Sequence, residues 1–161
     1  MEWGFCGEFY NTLDEKGRIA FPSRLKGVLT TDEVWITKGL GGDKALVIYS
    51  IEEWDRTLKE LEANLSIYNS DTRKFYRMFI APAQKVSIDK NGRVAIPQSL
   101  REYASLQKEC VFLGMNKIIE LWDVSVFNAF NNASDFNTDI FGELEKVKKT
   151  SNNNCLGGGK I

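Results

Sequence analysis

Two aspartate–arginine pairs carry most of the chemistry this sequence can offer. Asp14 and Arg18 stand four residues apart with Gly17 between them, and Asp89 and Arg93 repeat the arrangement around Gly92. An aspartate in a tight turn accepts backbone N–H groups two residues on, and a glycine supplies a positive φ there. The arginine then opens the return strand. Its forked donors suit phosphate or the O6 and N7 edge of guanine. Read instead as paired carboxylates, Asp14 and Asp89 would suggest acid–base work. No nucleophile, metal cluster or cofactor loop accompanies them. The chain also has no histidine, the commonest general base and metal ligand. An enzyme is therefore not expected, and nothing calls for a cofactor or a metal.

The pairs belong to a longer repeat. Leu13 to Pro22 returns as Ile88 to Pro97 at a constant offset of 75 residues, and the match continues to Leu25 over Leu100 and Lys26 over Arg101. A unit written twice implies two copies of one structural element. A turn alone needs the aspartate and the glycine but has no use for an arginine at a fixed place. Arg18 and Arg93 are accordingly the candidates for base-edge contact. Lys16, Arg24, Lys26, Lys90 and Arg101 lie close by in sequence and are the candidates for phosphate contact, which positions without specifying. Asp14, Gly17, Asp89 and Gly92 are the structural residues of the motif, each aspartate being placed to pair with Arg18 or Arg93.

Overall charge is −1, low for a nucleic-acid binder. The local balance differs. Asp71 to Arg101 holds seven basic and two acidic residues, and Asp14 to Lys26 holds four and two, while acidic residues gather in Glu52 to Glu62. Such polarity is what phosphate contact requires.

The elements that must position these residues follow from periodicity. Phe9, Asn11 and Leu13 lead into a first hairpin, with Ile19 and Phe21 leading out and a helical turn at Pro22–Lys26. A second hairpin runs Val34–Thr37 and Ala45–Tyr49. Its turn, Gly39 to Asp43, lacks the Lys-Ser/Thr and helix of a phosphate loop. Ser50 and Glu53 form a capping box for a helix with the stripe Ile51, Trp54, Leu58, Leu61 and Leu65. Asn69-Ser70-Asp71 caps another helix, with Phe75, Met78 and Phe79 facing inward, ending before Pro82. The second half repeats the plan: a hairpin at Asn91-Gly92, a helical turn Gln98–Tyr103, strands Cys110–Leu113 and Ile118–Trp122 around a Gly114–Lys117 turn. Asp123 then caps a helix bearing Val124, Phe127 and Phe130. Asn128 to Asn137 reads as irregular, Phe136, Ile140, Leu144 and Val147 as a last amphipathic helix, and Thr150 onward as a disordered tail.

The 161 residues suffice for two small interlocked halves. No apolar run approaches the roughly 20 residues of a membrane span, and Met1-Glu2-Trp3-Gly4 lacks the basic start and apolar stretch expected of a signal peptide. Three cysteines without CxxC spacing suit reduced thiols in a cytoplasm.

The doubled Asp-x-x-x-Arg motif with its following Phe/Ile-Pro resembles the MraZ family, bacterial transcriptional regulators of the division and cell-wall gene cluster. The likeness also covers Phe5 to Tyr10, Gly39 through Trp54 and Gly92 through Asp123. It implies an α+β, mainly β fold: two AbrB-like swapped-hairpin halves, 1–75 and 76–149, forming a pseudo-dimeric β-barrel with outer helices, followed by the tail at 150–161. It further implies a nucleoid-associated repressor that forms a ring-shaped homo-oligomer and binds G-rich direct repeats in double-stranded DNA upstream of its own operon. The competing expectation is an oligomeric protein-interaction scaffold or antitoxin-like subunit in which the turns are ordinary structure.

Overall fold

Several strands of this chain are apolar at every position, such as Leu46-Val47-Ile48-Tyr49 and Cys110-Val111-Phe112-Leu113. Continuous apolar runs of this length belong to strands covered on both faces. The computed structural model describes residues 4–133 and 139–156 and has that character. Its strands are β1 (Phe5–Thr12), β2 (Arg18–Ala20), β3 (Glu33–Lys38), β4 (Leu46–Ser50), β5 (Gln84–Ser87), β6 (Arg93–Ala95), β7 (Glu109–Asn116) and β8 (Ile118–Asp123). Its helices are α1 (Ser23–Lys26), α2 (Ile51–Asn64), α3 (Ser70–Phe79), α4 (Gln98–Tyr103), α5 (Val124–Ala133) and α6 (Asp139–Leu156). The chain divides after Phe130, and α6 belongs to the second, smaller unit.

Six strands form one sheet in the order β1-β7-β8-β4-β3-β5, and β2 pairs with β6 in a separate two-stranded ribbon. Pairing crosses between the halves at both edges. β1 runs antiparallel to β7, and β5 runs antiparallel to β3. No ladder joins β1 to β5 among the described residues, so the hydrogen-bonded sheet has two edges.

Side-chain alternation sorts the sheet into two faces. On one face Ile36, Leu46, Ile48, Phe112, Ile119 and Leu121 form the main core with Ile19 and Val94 of the ribbon and Leu25 and Leu100 of α1 and α4. The opposite face is covered in two places. Trp35 stacks on Trp54 of α2 at 5.1 Å between ring centroids, and Trp54 lies 5.5 Å from Phe79 of α3. Farther along the sheet, Trp122 meets Phe127 of α5 at 5.4 Å.

The expected caps are present. Ser50 accepts from the Glu53 N–H at 3.1 Å, and Asn69 accepts from Asp71 and Thr72 at 2.8 and 3.2 Å. Asp123 caps α5 through Val126 at 3.2 Å and takes a second bond from Gln107 at 3.0 Å. Cys110 is buried, which pushes its thiol up to about 12, whereas Cys6 is exposed.

Four sequence expectations need correction. Met78 is 56% exposed, because the buried stripe of α3 runs Thr72, Phe75, Phe79 and leaves Met78 to one side. Gly114 to Asn116 continue β7 rather than forming a turn, since β1 pairs with all three of them. Asn128 to Ala133 extend α5, and residues 150 to 156 continue α6. Phe136, the remainder of the Asn-rich stretch and residues 157–161 lie outside the described residues. Among the described residues no helix is long and apolar enough to cross a membrane.

At Gly114 the β1 backbone passes close to β7. A Cβ there would sit 2.4 Å from the Cys6 backbone nitrogen. Gly114→Ala is expected to cost about 1–3 kcal/mol through overpacking, read as a lower urea midpoint with an unchanged m-value.

Candidate nucleic-acid interface

Each motif turn is built by its own aspartate. Asp14 Oδ1 accepts from the backbone N–H of Lys16 at 2.9 Å and of Arg18 at 2.8 Å. Asp89 Oδ1 accepts from Asn91 at 2.9 Å and from Arg93 at 3.0 Å. Gly17 and Gly92 take φ of 80° and 76°, the left-handed conformation that favours glycine.

The ribbon then joins the two turns. Arg18 lies opposite Ala95, Ile19 opposite Val94 and Ala20 opposite Arg93. Beyond this ladder the Phe21 N–H donates to the Gly92 carbonyl at 2.8 Å, and the Ile96 N–H donates to the Gly17 carbonyl at 2.9 Å. Each exit strand is thus bonded to the other half's turn. Ile19 and Val94 point into the core at 1% and 0% exposure. Alternation therefore puts Arg18 and Arg93 together on the opposite, solvent-facing side. Each arginine faces an alanine, so neither stem is crowded.

The symmetry ends at the side chains. Arg18 Nε donates to Asp14 Oδ2 at 3.0 Å, and Arg93 Nη1 lies 3.5 Å from that same oxygen. Among the described residues no ion pair reaches Asp89. Arg101 also crosses to the first turn. Its Nε donates to the Ile96 carbonyl at 2.9 Å, and a Cβ on Gly17 would lie 2.6 Å from its guanidinium carbon. Its repeat equivalent, Lys26, reaches Asp32 at 3.8 Å instead, and no atom lies within 4 Å of a Cβ on Gly92. Lys16, Arg24 and Lys90 are exposed and carry no ion pair among the described residues.

Asp14 feels this setting. The Arg18 backbone N–H, with further help from its side chain, holds the carboxyl below its ordinary 3.8 against a desolvation effect that opposes it. Sequence reasoning found the arginines and aspartates. It missed Asn11, whose amide donates to the Ala20 carbonyl at 2.7 Å and ties β1 to the ribbon. It also missed the placement of Arg101 over Gly17. Neither leaves a mark in spacing, because both contacts join residues remote in the chain or unlike in the two copies.

A doubled hairpin motif, joined through a short ribbon and set on a sheet covered on both faces, defines a two-repeat α+β protein with cations displayed at its turns. The family model described as "MraZ protein, putative antitoxin-like" matches residues 5–78 and 79–140, one match for each repeat. The protein "Transcriptional regulator MraZ" of Treponema denticola is 41% identical over 129 residues, covering 80% of this chain and 88% of the relative. The chain belongs to the MraZ family. A solution structure of PHS018 from Pyrococcus horikoshii matches at a TM-score of 0.31 and 15% identity over 73% of this chain and 87% of that one.

A carboxyl held low in the folded state contributes stability that is complete above its unfolded value and lost as pH falls through its folded value. Asp14→Asn should therefore unfold at lower urea than the parent at neutral pH. The gap in midpoints should close as pH falls through and below the ordinary carboxylate range and the parent carboxyl protonates.

Proposed function

We propose that this chain is a DNA-binding transcriptional regulator that reads double-stranded DNA through the β2–β6 ribbon. The observation that carries this reading is the shared solvent-facing side of Arg18 and Arg93, each oriented by a carboxylate and flanked by exposed cations. Two strands roughly 4.8 Å apart fit a major groove about 12 Å wide. Arg18 and Arg93 contact base edges. Lys16, Arg24, Lys26, Lys90 and Arg101 hold phosphates, with Arg101 also bracing the first turn. Membership of the MraZ family and the name of the Treponema relative support regulation of transcription. The finer reading is a repressor of the division and cell-wall cluster, working in the cytoplasm at the nucleoid on G-rich direct repeats.

The cross-half pairings β1–β7 and β5–β3 and the reciprocal ribbon bonds support reading 1–75 and 76–149 as swapped-hairpin halves of a pseudo-dimeric barrel. Self-association into a ring is supported by apolar side chains left exposed, Leu65, Ile67 and Tyr68 at the α2–α3 corner and Met78 in the last turn of α3, with Tyr68 89% exposed. A ring would present many weak contacts to tandem repeats at high effective concentration. Sedimentation velocity at micromolar protein should show a single species several times the 18.3 kDa chain mass, and a monomer alone would overturn the ring.

Gel shifts on the chain's own upstream DNA, at two salt concentrations, test the interface. Arg18→Ala and Arg93→Ala should each cost about 1–3 kcal/mol and relax specificity, while Lys16→Ala should mainly reduce the salt slope by roughly one. Unchanged binding by both arginine variants would return the turns to ordinary structure and favour a protein-interaction scaffold or antitoxin-like subunit.

A further inference from the structure

By the repeat alone the two aspartates would be equivalent. The structure departs from that. Asp14 Oδ2 meets Arg18 Nε at 3.0 Å and Arg93 Nη1 at 3.5 Å, while among the described residues the Asp89 carboxylate accepts only from the backbone of its own turn. A third guanidinium, that of Arg101, lies over Gly17 on the same turn. The Cβ position of Gly92 faces open space, and Lys90 and Asn91 beside it are exposed.

We propose that Asp14 alone is the positioning residue for both arginines, so that the two repeats contribute unequally to DNA recognition. The inference rests on the DNA reading above. The bond from Arg18 Nε to Asp14 fixes the plane of its guanidinium, whose Nη pair is a fork matched to guanine O6 and N7. Arg93 Nη1 pairs with the same oxygen at the longer distance of 3.5 Å, so its guanidinium is held less tightly and Arg18 is the stricter reader. Asp89 shapes its turn through the backbone, and Lys90 beside it meets phosphate.

Asp14→Asn and Asp89→Asn separate the roles. In both variants an asparagine Oδ1 can still accept the two backbone N–H groups that build the turn. Each variant also removes one negative charge near phosphate, so affinity for scrambled duplex should rise equally in the two. The ratio of operator to scrambled affinity should fall about tenfold or more in Asp14→Asn and less than about threefold in Asp89→Asn. Equal ratios in the two variants would overturn the inference. Loss of operator binding in Arg18→Ala and Arg93→Ala alongside those equal ratios would leave the DNA reading standing. No loss in the arginine variants would sink the DNA reading itself.

Should Asp14→Asn fail to fold, the parent protein decides the matter by NMR. The side-chain N–H signals of Arg18 and Arg93 should move together with one acid titration, that of the Asp14 carboxyl. Arg93 following Asp89 instead would overturn the proposal.

Discussion

Two backbone hydrogen bonds, Phe21 N–H to Gly92 carbonyl and Ile96 N–H to Gly17 carbonyl, tie the halves together at the point where each copy of the motif ends. A lone hairpin is marginal in water, and β2 and β6 are three residues each. Neither has a partner strand of useful length in its own half. Joining them supplies the missing ladder and buries Ile19 and Val94 side by side in the main core. An error in register would be costly, since a slip of either strand by one residue would turn its arginine inward and its apolar side chain out.

The same joint couples the fold to the surface chemistry. Because the ribbon is antiparallel, Arg18 and Arg93 arrive from opposite ends and share one side. Because the turns sit against the opposite exit strands, Arg101 of the second half reaches Gly17 of the first. The covered sheet behind the ribbon keeps this display rigid. Its far face is closed by the Trp35, Trp54, Tyr49 and Phe79 rings, whose stacked and edge-on contacts leave little freedom for β3 and β4 to shift.

Charge follows the same division. Acidic side chains gather on α2, where Glu52, Asp55 and Glu60 are exposed, while exposed Lys16, Arg24 and Lys90 sit at or near the turns. An overall charge of −1 is thus compatible with a cationic face, because acidic residues outnumber basic ones on α2 and basic residues outnumber acidic ones around the turns.

Local rules were enough to read the repeat, the two Asp-Gly-Arg turns, the helical turns after Pro22 and Pro97, and the caps at Ser50, Asn69 and Asp123, since each depends on residues within a few positions. The face of Met78, the extension of β7 through Asn116 and the length of α5 were read less well, because each depends on what packs or pairs against it from elsewhere. Which aspartate would hold which arginine was beyond the sequence altogether. Two nearly identical motifs carry nearly identical local signals and cross reciprocally, and Asp14 becomes unlike Asp89 only because Arg93 and Arg101 reach the first turn while Lys26 turns to Asp32.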